Sequence, residues 1–270
     1  MKKWLKIGAL VTALSLILGI GWFANALVGN PVSKWLAART AEKHLEEVYG
    51  ETDFVLERVA YNFKDGNYYA HIKSPTSEDS SFSLYMNMWG GLEWDTYESW
   101  VLTGNNTADR LYMEYRDFTD TVFESPEYPF TSFITYGDLR IGFDTPYLEE
   151  EDLPPAGYIV LEELVLDKQY DMKELGAQAG RLVVYVEDDE VTVERAAEVL
   201  LELKQLFDDA GVTFYAIDFV LEYPRLEEGG TSKEGRVETQ EFLYTDIYEE
   251  GMTERVKAAD AAAKEDYEEK

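Results

Sequence analysis

Cysteine is absent from the 270 residues. That removes disulfides, thiolate zinc sites, iron–sulfur clusters and cysteine nucleophiles together. Histidine is nearly as scarce, with only His44 and His71. Two histidines far apart in sequence exclude a multi-histidine metal site. No G-x-G-x-x-G or G-x-x-x-x-G-K-[ST] run occurs, so a nucleotide fold has no support. No G-x-S-x-G elbow supports a serine triad. Basic side chains are also few, 24 against 54 acidic, for a formal charge of −30. The first 29 residues hold Lys2, Lys3 and Lys6 and no acid, which leaves 21 against 54 in the rest. Such a surface repels phosphate backbones and excludes nucleic acid as a partner. It also disfavours lying flat on anionic headgroups.

The hydrophobic share, 46%, is that of a chain with a packed core. At the start, "MKKWLK" precedes Ile7 to Val28, 22 residues without a charge. At about 1.5 Å per residue such a helix crosses a hydrocarbon core of about 30 Å. Trp4 and Trp22 suit its two interfaces. The reading is a signal anchor, with the lysines inside and the body outside: a single-pass cell-membrane protein with an extracytoplasmic body. Ala24-Asn25-Ala26 offers the alternative of a cleaved signal peptide. The apolar run exceeds the usual h-region and favours the anchor. Lys34, Arg39 and Lys43 beyond the span weaken the charge asymmetry.

The body reads as α+β. Asn30 and Pro31 start a helix that Gly50 closes, with Ala38, Ala41, Leu45 and Val48 as its apolar stripe. Strand patterns follow at Asp53–Phe63, Asn67–Ser74 and Ser80–Trp89, the first two joined by the turn signal Lys64-Asp65-Gly66. This predicts a helix across an antiparallel meander over 30–127, behind a transmembrane segment at 1–29. Proline-rich punctuation near Ser125 to Pro129 places the boundary. Over 128–270 the order β-α-β-β-α predicts a ferredoxin-like α/β plait. Its longest helix starts at Thr192 and stops at Gly211, with Val193, Ala196, Ala197, Leu200, Leu203 and Phe207 on one face.

Candidate chemistry is sparse. His44 with Glu47 has helical metal spacing, but an exposed helix face is the plainer reading; His71 reads as a sheet-face histidine. The acidic runs Leu148–Asp152 and Glu187–Glu190 lack EF-hand spacing and read as solvated turns. No cofactor or metal is expected. The one recognition candidate is "MNMWGGLEWDTYESW", which puts Trp89, Trp94 and Trp100 close together in sequence. The hairpin "VAYNFKDGNYYAHIKSP" carries four more aromatics, whose faces decide whether they are core or surface.

The blocks "NPVSKWLAARTAEKHLEEVYG", "YNFKDGNYYAHIKSPTSEDSSFSLYM", "GNNTADRLYMEY" and "ERAAEVLLELKQLFDDAGVTFYAIDFVLEYP" resemble the YfjL-like family of Gram-positive bacteria. The resemblance spans nearly the whole chain. It implies a membrane-anchored protein with N- and C-terminal modules and brings no activity, cofactor or catalytic residue. The expected function is a binding or regulatory module without catalysis, partnered with the membrane and with another exported or membrane protein. The alternative is a cell-envelope hydrolase using paired carboxylates.

Overall fold

The computed structural model describes residues 2–142, 156–226 and 229–268. The chain forms two compact units, Met1–Asn106 and Thr107–Lys270.

In the first unit, α1 (Lys2–Val28) buries none of its residues, and from Ile7 to Val28 it carries no charge. Gly29, at φ +69°, breaks the helix. Asn30 caps α2 (Pro31–Val48), its Oδ1 accepting from Ser33 N at 2.8 Å. Ser33, Ala37 and Ala41 are the buried stripe of α2, while Val48 stays exposed. These small residues let α2 lie close on a four-stranded meander.

The meander is β1 (Val55–Asn62), β2 (Asn67–Lys73), β3 (Ser81–Met86) and β4 (Leu92–Asp95), each strand antiparallel to the next. Strict alternation buries Tyr68, Ala70 and Ile72 on β2 and Phe82, Leu84 and Met86 on β3 under α2. The turns after β1 and after β3 lie at the same end of this sheet. So does the start of α2, where Tyr68 Oη accepts from Asn30 N at 2.7 Å; midway along the helix, Thr40 Oγ1 donates to Gly90 O at 2.6 Å. Tyr61 Oη also donates to Ala26 O of α1 at 3.0 Å. The opposite end is closed by Tyr49, Phe54, Phe82 and Tyr97, whose ring centroids lie 5.1–5.8 Å apart.

A helix, α3 (Asn105–Phe123), opens the second unit. The units divide in its first turn, not at 127/128, because Leu111, Tyr115, Val122 and Phe123 bury themselves in the second unit's cores. Proline marked the end of α3 rather than the end of a domain. There follow β5 (Thr131–Leu139), the short parallel pair β6 (Ile141–Gly142) and β7 (Ile159–Val160), then α4 (Met172–Ala179), β8 (Gly180–Glu187), α5 (Val193–Ala210), β9 (Ala216–Glu222), β10 (Arg236–Leu243) and α6 (Met252–Glu268).

The α+β class, the apolar N-terminal helix and the two sheet modules are as the sequence indicated. The second sheet runs β10-β9-β8-β5 in chain order, with β8 and β9 parallel. A ferredoxin-like plait splits its βαβ units with an intervening strand. Here α5 returns the chain directly beside β8, so nothing is interleaved. Leu182, Val184, Ile217, Phe219 and Leu221 form one buried sheet face against α5, whose Ala196, Leu200, Leu203 and Phe207 meet it as the periodicity predicts. At the edge, Glu238 N donates to Asp260 Oδ1 of α6 at 3.0 Å, which occupies an edge-strand amide that would otherwise be open to pairing.

Candidate functional site

The face of the first sheet turned away from α2 follows from the same alternation. It carries Tyr69, His71 and Lys73 from β2, Ser83 and Tyr85 from β3, and Trp94 from β4. The register sets Tyr69 opposite Tyr85 and Tyr85 opposite Trp94. The rings form a ladder. Tyr85 and Trp94 stack with centroids 4.5 Å apart and planes 17° apart, and Tyr69 lies 6.1 Å from Tyr85 at 34°. Trp94 remains 46% exposed, a large π surface turned outward.

A charged row flanks the ladder. Glu57 pairs with Lys73, and its Oε2 stands 3.6 Å from His71 Nε2. The hydrogen bond from Lys73 holds the Glu57 carboxyl below its ordinary range. Asn67 Nδ2 donates to Glu93 Oε2 at 3.0 Å. An exposed ring ladder beside fixed donors and acceptors can stack a planar or apolar group and orient its polar substituents.

The three candidate tryptophans part company. Trp94 belongs to the ladder. Trp89 is 77% exposed in the turn between β3 and β4, where Asn87 Oδ1 accepts from Trp89 N and Gly91 N, both at 3.0 Å. Trp100 lies in a π-helical turn, Glu98–Leu102, beyond the far end of β4. Among the described residues no ring contact joins the three. Their closeness in sequence spans a whole strand and both of its ends. Tyr69 and Tyr85 are the partners that sequence reasoning missed. Period-two alternation marks both as outward, but the pairing that aligns them with Trp94 is not local. Of the hairpin aromatics, Tyr61 and Tyr68 turn inward toward Gly29, Tyr69 turns outward, and Phe63 sits 59% exposed in the turn.

His44 departs from the exposed helix face expected of it. Its side chain is mostly buried, with Nε2 3.1 Å from Asp95 Oδ2. Tyr49 Oη donates to the same oxygen at 2.7 Å, and Asp95 Oδ1 accepts from Tyr97 N at 2.7 Å. Burial, and then the Asp95 carboxylate, push the Tyr49 phenol well above its usual range. His44 therefore ties α2 to the end of β4 rather than facing Glu47. Among the described residues no group of three or more His, Asp or Glu is arranged to hold a metal.

Two concavities of the second unit are lined by charged side chains. One, of 360 Å³, lies on the sheet face opposite α5 and is lined by Tyr136, Tyr185, Arg181, Asp218, Glu238 and Glu241 among others. Its charges are matched. Arg181 Nε donates to Asp218 Oδ2 at 2.8 Å, Arg236 Nη2 lies 2.8 Å from Glu238, and Arg140 Nη2 lies 3.1 Å from Glu241. The other, of 580 Å³, is a depression along α3 with Asp117, Asp120 and Glu124. Burial and the Glu124 charge raise the Asp120 carboxyl. Of the two acidic runs, Leu148–Asp152 lies outside the described residues. In the other, Asp188 accepts from Glu190 N at 2.9 Å and from Arg195 Nε at 2.9 Å; although burial opposes it, these donors hold its carboxyl below the usual range.

Residues 1–119 match the YfjL-like N-terminal domain, and residues 114–257 match the YfjL-like C-terminal domain. The chain belongs to the YfjL-like family. The two domain matches meet within α3, close to where the two compact units divide. No curated protein and no solved structure matches the chain.

Proposed function

We propose that this YfjL-like protein is a membrane-anchored, extracytoplasmic binding module that works by recognition rather than catalysis. The observation that carries the reading is the Tyr69–Tyr85–Trp94 ladder, exposed on a sheet face that α2 leaves uncovered. The uncharged run of α1, preceded by Lys2, Lys3 and Lys6 with no acid among them, supports an anchor whose body lies outside, although Lys34, Arg39 and Lys43 beyond it reduce the asymmetry. The partner fitting this placement is another exported or membrane protein, offering an apolar or planar group to Trp94.

The test is a photo-crosslinking residue at Ser83, beside the ladder, in cells carrying the full chain. One reproducible adduct is expected, and Trp94→Ala should reduce it by about tenfold, as loss of an aromatic anchor does. An adduct indifferent to Trp94→Ala would remove the reading. Because the chain lacks cysteine, Ser232→Cys labelled by an impermeant maleimide on intact cells reports which side the body occupies.

One observation favours the hydrolase alternative, the raised Asp120 carboxyl in the α3 depression. Its acids Asp117, Asp120 and Glu124 all come from a single helix, whereas carboxylate-pair hydrolysis sets its acids on opposite sides of the bond. Asp120→Asn should leave the Ser83 adduct intact.

A further inference from the structure

The end of the first unit that receives α1 bears an apolar surface that the recognition ladder does not use. Phe63 stands at the tip of the turn after β1, exposed by 59%. Met88 and Trp89 stand at the tip of the turn after β3, exposed by 45% and 77%. Val32, in the first turn of α2, is 66% exposed. Turn tips ordinarily carry small polar residues; here two turns remote in sequence present large apolar ones in the same direction. Asn87 fixes the backbone of the second turn through the Trp89 and Gly91 amides, and the indole carried there is exposed.

We infer that this end is a lipid-facing base. Phe63, Met88, Trp89 and Val32 enter the headgroup–acyl boundary of the bilayer crossed by α1. The inference rests on reading α1 as a membrane span. Its occupant follows from the missing spacer. Only Gly29 and Asn30 separate α1 from α2, and both touch Tyr68. The uncharged run ends at Val28, where Ala26 is already bonded to Tyr61. A span ending there leaves the turn end no distance from the interface, and Trp is the residue most at home at that depth.

Local charge agrees. The Asp65 carboxylate is occupied by Asn62 Nδ2 and Asn67 N, both at 2.9 Å, and Lys64 lies beside it. The net charge of −30 gives no attraction to anionic lipid. Contact is therefore made by apolar burial; it needs no anionic lipid and is strongest in zwitterionic bilayers, where the acidic body meets no like charge.

The absence of native cysteine makes the test direct. Full-length chains carrying Phe63→Cys, Met88→Cys, Ser99→Cys or Leu14→Cys are labelled with an environment-sensitive fluorophore in phosphatidylcholine nanodiscs. Nitroxide lipids quench either near the headgroup or deep in the acyl region. Labels at 63 and 88 are expected to be quenched by the shallow nitroxide about twofold or more above the label at 99. The label at 14 is expected to respond to the deep one. Trp89→Asp in the Met88→Cys chain should weaken quenching at 88 and leave a Leu14→Cys chain unaffected. If 63 and 88 match 99 while 14 is quenched, the span stands and the lipid-facing base falls. A blue shift at 63 and 88 without lipid quenching means protein covers them, which also overturns it. No quenching at 14 defeats the span reading and this inference with it.

Discussion

Replacing Gly29 with alanine probes the junction between α1 and the first sheet. Gly29 holds φ +69°, and a non-glycine residue in that region costs about 1–2 kcal/mol. An added Cβ would stand 2.5 Å from Tyr68 Oη and 2.7 Å from the Tyr61 ring, so both tyrosines must shift. Moving Tyr68 breaks its contact with Asn30 N, worth about 0.5–1.5 kcal/mol. The first unit should therefore lose about 2–3 kcal/mol. Gly66→Ala is the matched control. Its φ is +75°, but no atom lies within 4 Å of the new methyl, so only the backbone cost of about 1–2 kcal/mol applies. Hydrogen exchange of the β2 and β3 amides across a urea series, on full chains in micelles, reads the unit's opening free energy. Tyr68→Phe removes the oxygen nearest the new methyl, so alanine at 29 should cost less in that background than in the native one. Equal losses from Gly29→Ala and Gly66→Ala would refute the clasp.

Two more perturbations test the second unit. Thr239 is fully buried, and its hydroxyl has no hydrogen-bond partner among the described residues. Thr239→Val should stabilise β10 by about 1 kcal/mol in urea-dependent exchange; a loss of that size would reveal a partner for the hydroxyl. Asp188 has its carboxyl held below the ordinary range, so its contribution is complete above the unfolded value near pH 4 and is lost as pH falls through the folded value. Amide protection at Glu190, whose N–H donates to Asp188, should fall through that acid window, and Asp188→Asn should remove the dependence; an unchanged profile in the variant would assign it elsewhere.

Local signals were readable because local physics produced them. Asn30 and Thr192 accept from Ser33 and Arg195 amides as N-caps do, and Gly211 ends α5. The β1–β2 hairpin and the apolar face of α5 follow from period and turn chemistry. What escaped was nonlocal. Nothing near Asp95 in sequence announces His44 or Tyr49. The stacking of Trp94 on Tyr85 depends on a register that shifts between Tyr85 and Met86. The second sheet's order depends on where α5 returns the chain, and βαββ patterning suits more than one order. Proline near the end of α3 resembled a domain boundary because proline marks both kinds of end.

The bond from Tyr61 Oη to Ala26 O governs access to the stretch before it. A peptidase cutting after Ala24-Asn25-Ala26 needs that stretch extended in its cleft. In the folded chain the stretch is helical, and the carbonyl of the scissile peptide is already taken. The same peptide cannot be both wound into α1 and laid out extended. Closure of the first hairpin therefore withdraws residues 24–26 from any protease that requires them extended.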